Sequence, residues 1–184
     1  MGKSAVIVVD MLNDFVTGAI KCDRAQRIIP PLQRLLAAAR QAGVPVVFSN
    51  DSHLPEVDKE FRIWGPHAVR GTEGAEVIPE LRPQSGDYIV PKRRYSGFYG
   101  TDLEMLLREL GVDTVILTGL HVNMCVRHTA ADAYCADFNI IVPSDGTEAF
   151  TEADFEAGLA YLKQVYAATI TNVEELVAQM TSRA

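Results

Sequence analysis

The sequence predicts an α/β protein in three layers, with a six-stranded parallel sheet covered by helices on both faces in a Rossmann-type arrangement. Three observations carry this prediction. Short apolar runs alternate with stretches of helical periodicity along the whole chain. The runs at 5–9, 44–49 and 115–118 are nearly continuous in apolar residues, as strands buried on both faces require. Parallel strands need crossover connections, and the helical stretches between the runs supply them.

Residues 5–9 (A-V-I-V-V) form the first strand, which stops at Asp10. A loop at 11–22 leads to a helix over 24–42, with Ile28, Leu32, Leu35, Leu36 and Ala39 on one stripe. Pro30 and Pro31 place the start of its regular part, and Gly43 ends it. The second strand, 44–49, stops at Asn50-Asp51-Ser52-His53. The next thirty-odd residues are mostly irregular, a length that usually signals a functional loop. A third strand at 87–90 stops at Pro91-Lys92, and Thr101 with Glu104 forms a capping box for a helix through Leu110. The fourth strand, 115–118, turns at Gly119, and a helix begins near Cys125. The fifth strand is 139–142 and the sixth 167–170. Thr151 with Asp154, and Asn172 with Glu175, cap the helices that come after them.

One domain, 1–184, suits this length. The balance of 24 acidic against 17 basic residues, net −7, excludes nucleic acid as a main partner, because phosphate binding needs a basic surface. The apolar runs are too short to span a membrane, and no signal-peptide pattern opens the chain. Three cysteines with no CxxC pair imply no disulfide framework and suit a cytoplasmic protein.

In parallel sheets the ligand site lies beyond the carboxyl ends of the strands. The residues just past each strand are therefore informative: Asp10, then Asp51 and His53, then Lys92, then His121 and Cys125. Cys125 stands at a strand–turn–helix corner, where the partial positive charge of a helix start favours a thiolate. Asp10 is placed to take the thiol proton if burial raises its own pKa, and Lys92 to stabilise both charges. Taken singly each has a plainer role: a packed cysteine, a turn cap, a solvated lysine. Their convergence at one sheet edge favours chemistry. The thiolate would attack a carbonyl carbon, and the backbone N–H groups of His121 and Cys125 are the candidate oxyanion donors. Asp51-x-His53 and His67 offer an N/O ligand set suited to zinc, with manganese or iron as alternatives. Glu56, Asp58 or Glu60 could add a further ligand. Phe15, Trp64, Tyr95 and Phe98 come from strand-end loops and could wall an apolar pocket. His128, one turn after Cys125, is a rival partner for the thiol or part of the pocket lining.

Several segments together resemble one family. They are A-V-I-V-V-D-M-L-N-D-F at 5–15, D-S-H at 51–53 and W-G-P-H at 64–67. G-T-E-G-A-E-V-I-P-E-L at 71–81, K-R-R-Y-S-G-F-Y-G-T-D-L at 92–103 and T-G-L-H-V-N-M-C-V at 118–126 continue them. The chain resembles the cysteine hydrolases of the isochorismatase-like superfamily, in the branch of nicotinamidases and N-carbamoylsarcosine amidases, over essentially its whole length. The resemblance implies an Asp10–Lys92–Cys125 triad, an oxyanion hole at the amides of His121 and Cys125, and a cis peptide between Leu120 and His121. It also implies metal ligation by Asp51, His53 and His67, no organic cofactor, and assembly as a homodimer or homotetramer. True isochorismatases usually lack the cysteine, so Cys125 argues against that activity. The metal set points to nicotinamidase, hydrolysing nicotinamide to nicotinate with release of ammonia. The runner-up is an N-carbamoylsarcosine amidase-like or other ureido amidohydrolase. A non-catalytic small-ligand binder on the same scaffold is the reading from another class.

Overall fold

The computed structural model describes residues 3–182 of the chain. Its centre is Ser4–Val9 (β1), whose β-branched residues suit a pleated strand enclosed on both faces. The chain continues through a short helix, Asn13–Val16 (α1), and a 3-10 turn into Ile29–Gln41 (α2). Then come Val46–Asp51 (β2), the single turn Phe61–Trp64 (α3), Tyr88–Lys92 (β3) and Leu103–Glu109 (α4). Next are Thr114–Leu120 (β4), Cys125–Cys135 (α5), Asn139–Pro143 (β5) and Thr147–Glu148 (β6). Glu152–Val165 (α6), Thr169–Thr171 (β7) and Val173–Thr181 (α7) complete the described elements.

All strand pairs are parallel, in the order β3-β2-β1-β4-β5-β7. The two-residue β6 pairs with β4 beyond the point where β5 leaves it, so the sheet is six strands wide with a short seventh.

Alternation along β1 divides the core. Val6 and Val8 face one layer, where Leu32, Leu35 and Leu36 of α2 and Leu176 of α7 pack over Phe48 and Ile116. Ala5, Ile7 and Val9 face the other layer, with Leu107 of α4, Val126 of α5 and Leu162 of α6. Each large side chain so enclosed contributes roughly 1.5–3 kcal/mol relative to exposure. The two layers together hold the strand ends at fixed separations.

Local chemistry sets the helix starts. Thr151 Oγ1 accepts from the Asp154 N–H at 3.1 Å, and Asn172 Oδ1 from the Glu175 N–H at 2.9 Å, as the cap patterns predict. The capping box at Thr101 is a correction. Its hydroxyl accepts from the Leu103 N–H at 3.2 Å and donates to the Gly97 carbonyl, and Asp102 is the residue that precedes the helix.

Several strands run further at their carboxyl ends than their sequence suggests: β2 continues through Asn50 and Asp51, β5 reaches Pro143 and β7 reaches Thr171. β3 continues through Pro91 and Lys92 because it lies at the sheet edge, where a missing N–H is tolerated. β4 continues through Gly119 to Leu120. At Gly119 φ is +90°, and a Cβ there would lie 2.0 Å from the Val9 carbonyl oxygen, so only glycine lets β1 and β4 close at this point. That approach brings the end of β1 and the turn after β4 side by side.

Candidate active site

Register and chain reversal build the site. Asp51 and Lys92 are direct neighbours across β2 and β3. Asp10 comes directly after the last residue of β1 and lies in the left-handed region, φ +52°, an uncommon conformation for a residue other than glycine. This turns its carboxylate into the gap between β2 and β4. There Oδ1 accepts from the Asp51 N–H at 2.7 Å, and Oδ2 lies 2.8 Å from Lys92 Nζ. Lys92 Nζ also donates to Asp51 Oδ1 at 2.6 Å. Asp10 Oδ2 has no hydrogen-bond partner despite its burial, because the ammonium approaches outside bonding geometry. It keeps a lone pair for another proton.

Cys125 opens α5 directly after Met124, at the corner its sequence predicts. Its Sγ lies within 4.8 Å of carboxylate oxygens of both Asp10 and Asp51. The peptide between Leu120 and His121 is cis. The His121 carbonyl accepts from the N–H groups of Met124 and Val126. Among the described residues, the N–H groups of His121 and Cys125 themselves find no acceptor, which leaves two donors beside the sulfur.

The thiol corrects one expectation. Asp10, Lys92 and Cys125 are 0%, 1% and 3% exposed. Burial pushes the Cys125 pKa well above the usual thiol range, and the nearby Lys92 ammonium lowers it only in part. The resting sulfur therefore carries its proton. Burial and the neighbouring Asp51 also raise Asp10, to about 6, even though Lys92 pulls the other way. At neutral pH it is mostly ionised and basic enough to accept a proton. Lys92 stays charged: burial opposes this, but two carboxylates hold its pKa well above the ordinary lysine value.

Beside this group, Asp51, His53, Glu60 and His67 present ligand atoms within 4.8 Å of one another, all from buried residues. Of the three further ligands considered from sequence, the structure brings Glu60 to the cluster. Glu56 is exposed, and Asp58 is engaged behind His53. Asp58 binds His53 Nδ1 at 3.2 Å and accepts from the Leu54 N–H at 2.7 Å. The Arg93 guanidinium grips it at 2.5 to 3.1 Å, and Arg93 holds its carboxyl far below the usual range. With Nδ1 committed, His53 Nε2 faces the cluster, buried and without a hydrogen-bond partner. His67 Nδ1 likewise meets the Gly65 carbonyl at 2.8 Å, and burial lowers its pKa, so its other nitrogen keeps a lone pair. Burial and Asp51 push Glu60 up to about 7. Four ligand atoms converge with an orphaned nitrogen among them, and a carboxylate braces one imidazole from behind. Such a donor set fits a divalent cation. The second such group, Asp10, Asp51 and Cys125, already has Lys92 as its cation.

A small cavity of about 10 Å³ lies over the sulfur, walled by Phe15, Trp64, Tyr95, Met124 and Phe150. Phe15, Trp64 and Tyr95 are thus where the sequence places them. Phe98 is not: it packs against Phe138 in the α4/α5 layer. Sequence reasoning missed Phe150, which stacks on His121 at 4.1 Å and against Trp64 at 6.1 Å. Its one signal was position, shortly after the carboxyl end of the fifth strand. His128 does not meet the thiol; Nδ1 lies 2.8 Å from the Met124 carbonyl and the ring lies beside Tyr95.

A thiol with a carboxylate in reach and free amides beside it is equipped to attack an electrophilic carbon, the chemistry of an α/β cysteine hydrolase. Comparison with known proteins agrees. The isochorismatase domain model matches residues 4–175, and the chain belongs to the isochorismatase family of hydrolases. It is 45% identical to N-carbamoylsarcosine amidase from Thermoplasma acidophilum, over 94% of this chain and 97% of that one, with a TM-score of 0.88. Nicotinamidase/pyrazinamidase PncA from Bacillus subtilis is 35% identical over 92% of this chain and 100% of its own, TM-score 0.88. The pyrazinamidase of Pyrococcus horikoshii, solved in complex with zinc, is 32% identical over 92% of this chain and 99% of its own, TM-score 0.86.

Proposed function

We propose that this protein is a cysteine-dependent amidohydrolase that releases ammonia from a small carboxamide or ureido group. The observation that carries the reading is the convergence of three buried residues: Lys92 Nζ lies 2.8 Å from Asp10, whose carboxylate is within 4.8 Å of the Cys125 sulfur. Asp10 takes the thiol proton as sulfur attacks the carbonyl carbon. The amides of His121 and Cys125 receive the developing oxyanion. Asp10 returns the proton to the nitrogen, and ammonia leaves with the C–N bond pair. Water then adds to the thioester, giving its proton to Asp10, and the acid product departs as the thiol is restored. Lys92 keeps Asp10 ionised for each cycle without joining the transfer.

Asp51, His53, Glu60 and His67 would hold a divalent metal, zinc being the ion their N/O set suits. Bound there, it would supply a Lewis-acid contact for a ring nitrogen or a water of the substrate complex. The ligand set supports nicotinamide as substrate. The 45% identity with the carbamoylsarcosine amidase supports an N-carbamoyl acid as the second reading. Ammonia release from nicotinamide, N-carbamoylsarcosine and simple amides tests the class. Turnover of none of them would remove it.

Two results are expected. First, kcat/KM should fall as pH drops through about 6, because Asp10 becomes protonated and can no longer accept the thiol proton. A flat profile between pH 5 and 7.5 would contradict its role as base. Second, purified protein should bind about one zinc per chain, and His53→Ala should lose it. Asp58→Ala should weaken zinc affinity by about 10- to 100-fold, because nothing then fixes the imidazole. Equilibrium dialysis against zinc measures both, independently of activity.

A further inference from the structure

The strand β6 has two residues, fewer than strands usually have, and among the described residues it pairs with β4 alone. So short a ladder leaves its placement to side chains, and three contacts supply it. Thr147 Oγ1 donates to the Gly119 carbonyl at 2.7 Å. The buried Cys22 thiol donates to the Ala149 carbonyl at 3.4 Å. The third contact is ionic. Glu148 is buried, and its Oε2 accepts from Arg24 Nε at 2.8 Å and from the Ala149 N–H at 3.1 Å. Arg27 lies 3.6 Å from Oε1. Arg24 also meets Glu152, the first residue of α6, at 2.8 Å. Both arginines belong to the 3-10 turn Asp23–Ile28, so that turn is tied to β6 and α6 together.

What β6 touches is the oxyanion turn. Leu120 pairs with Glu148 in the ladder, and the Val122 N–H donates to the Glu148 carbonyl at 2.9 Å. His121 stands between these two, so both of its chain neighbours are held by one residue. Two positions past Glu148, Phe150 stacks at 4.1 Å on the His121 ring, whose buried Nε2 has no hydrogen-bond partner. The direction of the His121 N–H therefore follows the placement of β6. An ion pair removed from water adds little net stability over apolar packing, because desolvation offsets the attraction. What its directional bonds add here is position.

We propose that Glu148, clamped by Arg24, is a positioning residue for the oxyanion hole. It acts through the turn at Leu120–Val122 and is not on the wall of the sulfur cavity. Its effect on hydrolysis rests on the amidohydrolase reading. An oxyanion donor counts only when it is aligned with the charged oxygen, so a displaced His121 N–H should lower kcat and spare KM.

Glu148→Ala should reduce kcat for amide hydrolysis by about 10- to 100-fold and change KM by less than about threefold. Glu148→Gln, which can still accept from Arg24 and from the Ala149 N–H, should recover most of the loss. Two reactions of Cys125 separate positioning from general damage. Iodomethane forms an S–C bond as iodide leaves and Asp10 takes the thiol proton; no oxyanion develops, so the rate should stay within about twofold of wild type. Pyridine-3-carboxaldehyde takes the sulfur at its carbonyl carbon, the thiol proton passing to Asp10 and the π pair to oxygen. Its affinity should weaken by about tenfold or more in Glu148→Ala. The aldehyde needs no amide turnover, so it tests the clamp even where the amidase reading fails. Equal aldehyde affinity in the two proteins, or alkylation slowed as much as hydrolysis, would overturn the inference, as would a wild type that binds no aldehyde. If Glu148→Ala does not fold, Arg24→Met should weaken the aldehyde by about fivefold, since Glu148 then keeps only the Ala149 N–H and the distant Arg27. Unchanged affinity in that variant would overturn it equally.

Discussion

Replacing Cys125 by alanine is expected to lower amide hydrolysis by about 10⁴-fold or more, as removal of a nucleophile does in other covalent hydrolases. The fold should survive, because the side chain lost is small and the corner is held by backbone contacts. The His121 carbonyl accepts from Met124 and Val126, and Val122 donates to the Glu148 carbonyl. Urea melts of the two proteins should therefore differ by no more than about 1–2 kcal/mol, the scale of a small buried change. A serine in this place should be nearly as inactive. Its hydroxyl is far less acidic than a thiol, and Asp10, at about 6, is a weak base for it. Ammonia release by the alanine variant above one-tenth of wild type would exclude Cys125 as nucleophile.

Lys92→Met should have the largest effect on stability. The ammonium is fully enclosed and lies 2.8 Å from Asp10 and 2.6 Å from Asp51. Methionine keeps the length of the chain and removes the charge, leaving two buried carboxylates facing each other. Breaking a buried ionic cluster on one side costs about 3–5 kcal/mol. The same loss of charge sets the direction of the pH dependence. Without Lys92 the folded-state pKa of Asp10, already raised, goes higher still, and Asp51 loses the cation that most lowers its own, so the folded variant binds more protons. Its stability is then greatest at low pH and is lost as pH rises through the raised Asp10 value. Urea denaturation at pH 5.5 and 8 should show a smaller deficit against wild type at the lower pH. A deficit that is equal at both, or larger in acid, would mean that Lys92 does not neutralise these groups. Hydrolysis should fall with it, since Asp10 would hold its proton at pH 7.

The sheet was legible because burial on both faces leaves a plain trace: continuous apolar runs, broken by polar residues where the strands end. The same trace located Asp10, Asp51, Lys92 and Cys125, since side chains at or just past the carboxyl ends of parallel strands share one edge; Asp51 and Lys92 are the last residues of β2 and β3. What was not legible depended on contacts between distant segments. Pro91 reads as a stop, yet its place at the edge makes it harmless. Gly119 reads as a turn, yet it is the close approach of Val9 that requires glycine there. Phe98 and Phe150 are both aromatic residues in connections, and only packing separates a core partner of Phe138 from a wall of the sulfur cavity. Glu60 could not be chosen over Asp58 from spacing. Asp58 is drawn to Arg93, the residue directly after β3, which leaves Glu60 for the metal-type cluster. The raised thiol pKa was hidden for the same reason: a helix start can be read locally, whereas enclosure cannot.

Covalent capture bears most directly on the whole scheme. Acid quenching of the protein during turnover of a slow amide, with peptide mass spectrometry of the quenched sample, should find the acyl group on the peptide that carries Cys125. The adduct should disappear on treatment with hydroxylamine, as a thioester does. Steady ammonia release with no acyl adduct at any quench time, or an adduct on Cys22 or Cys135 in its place, would contradict the assignment of the sulfur at the start of α5.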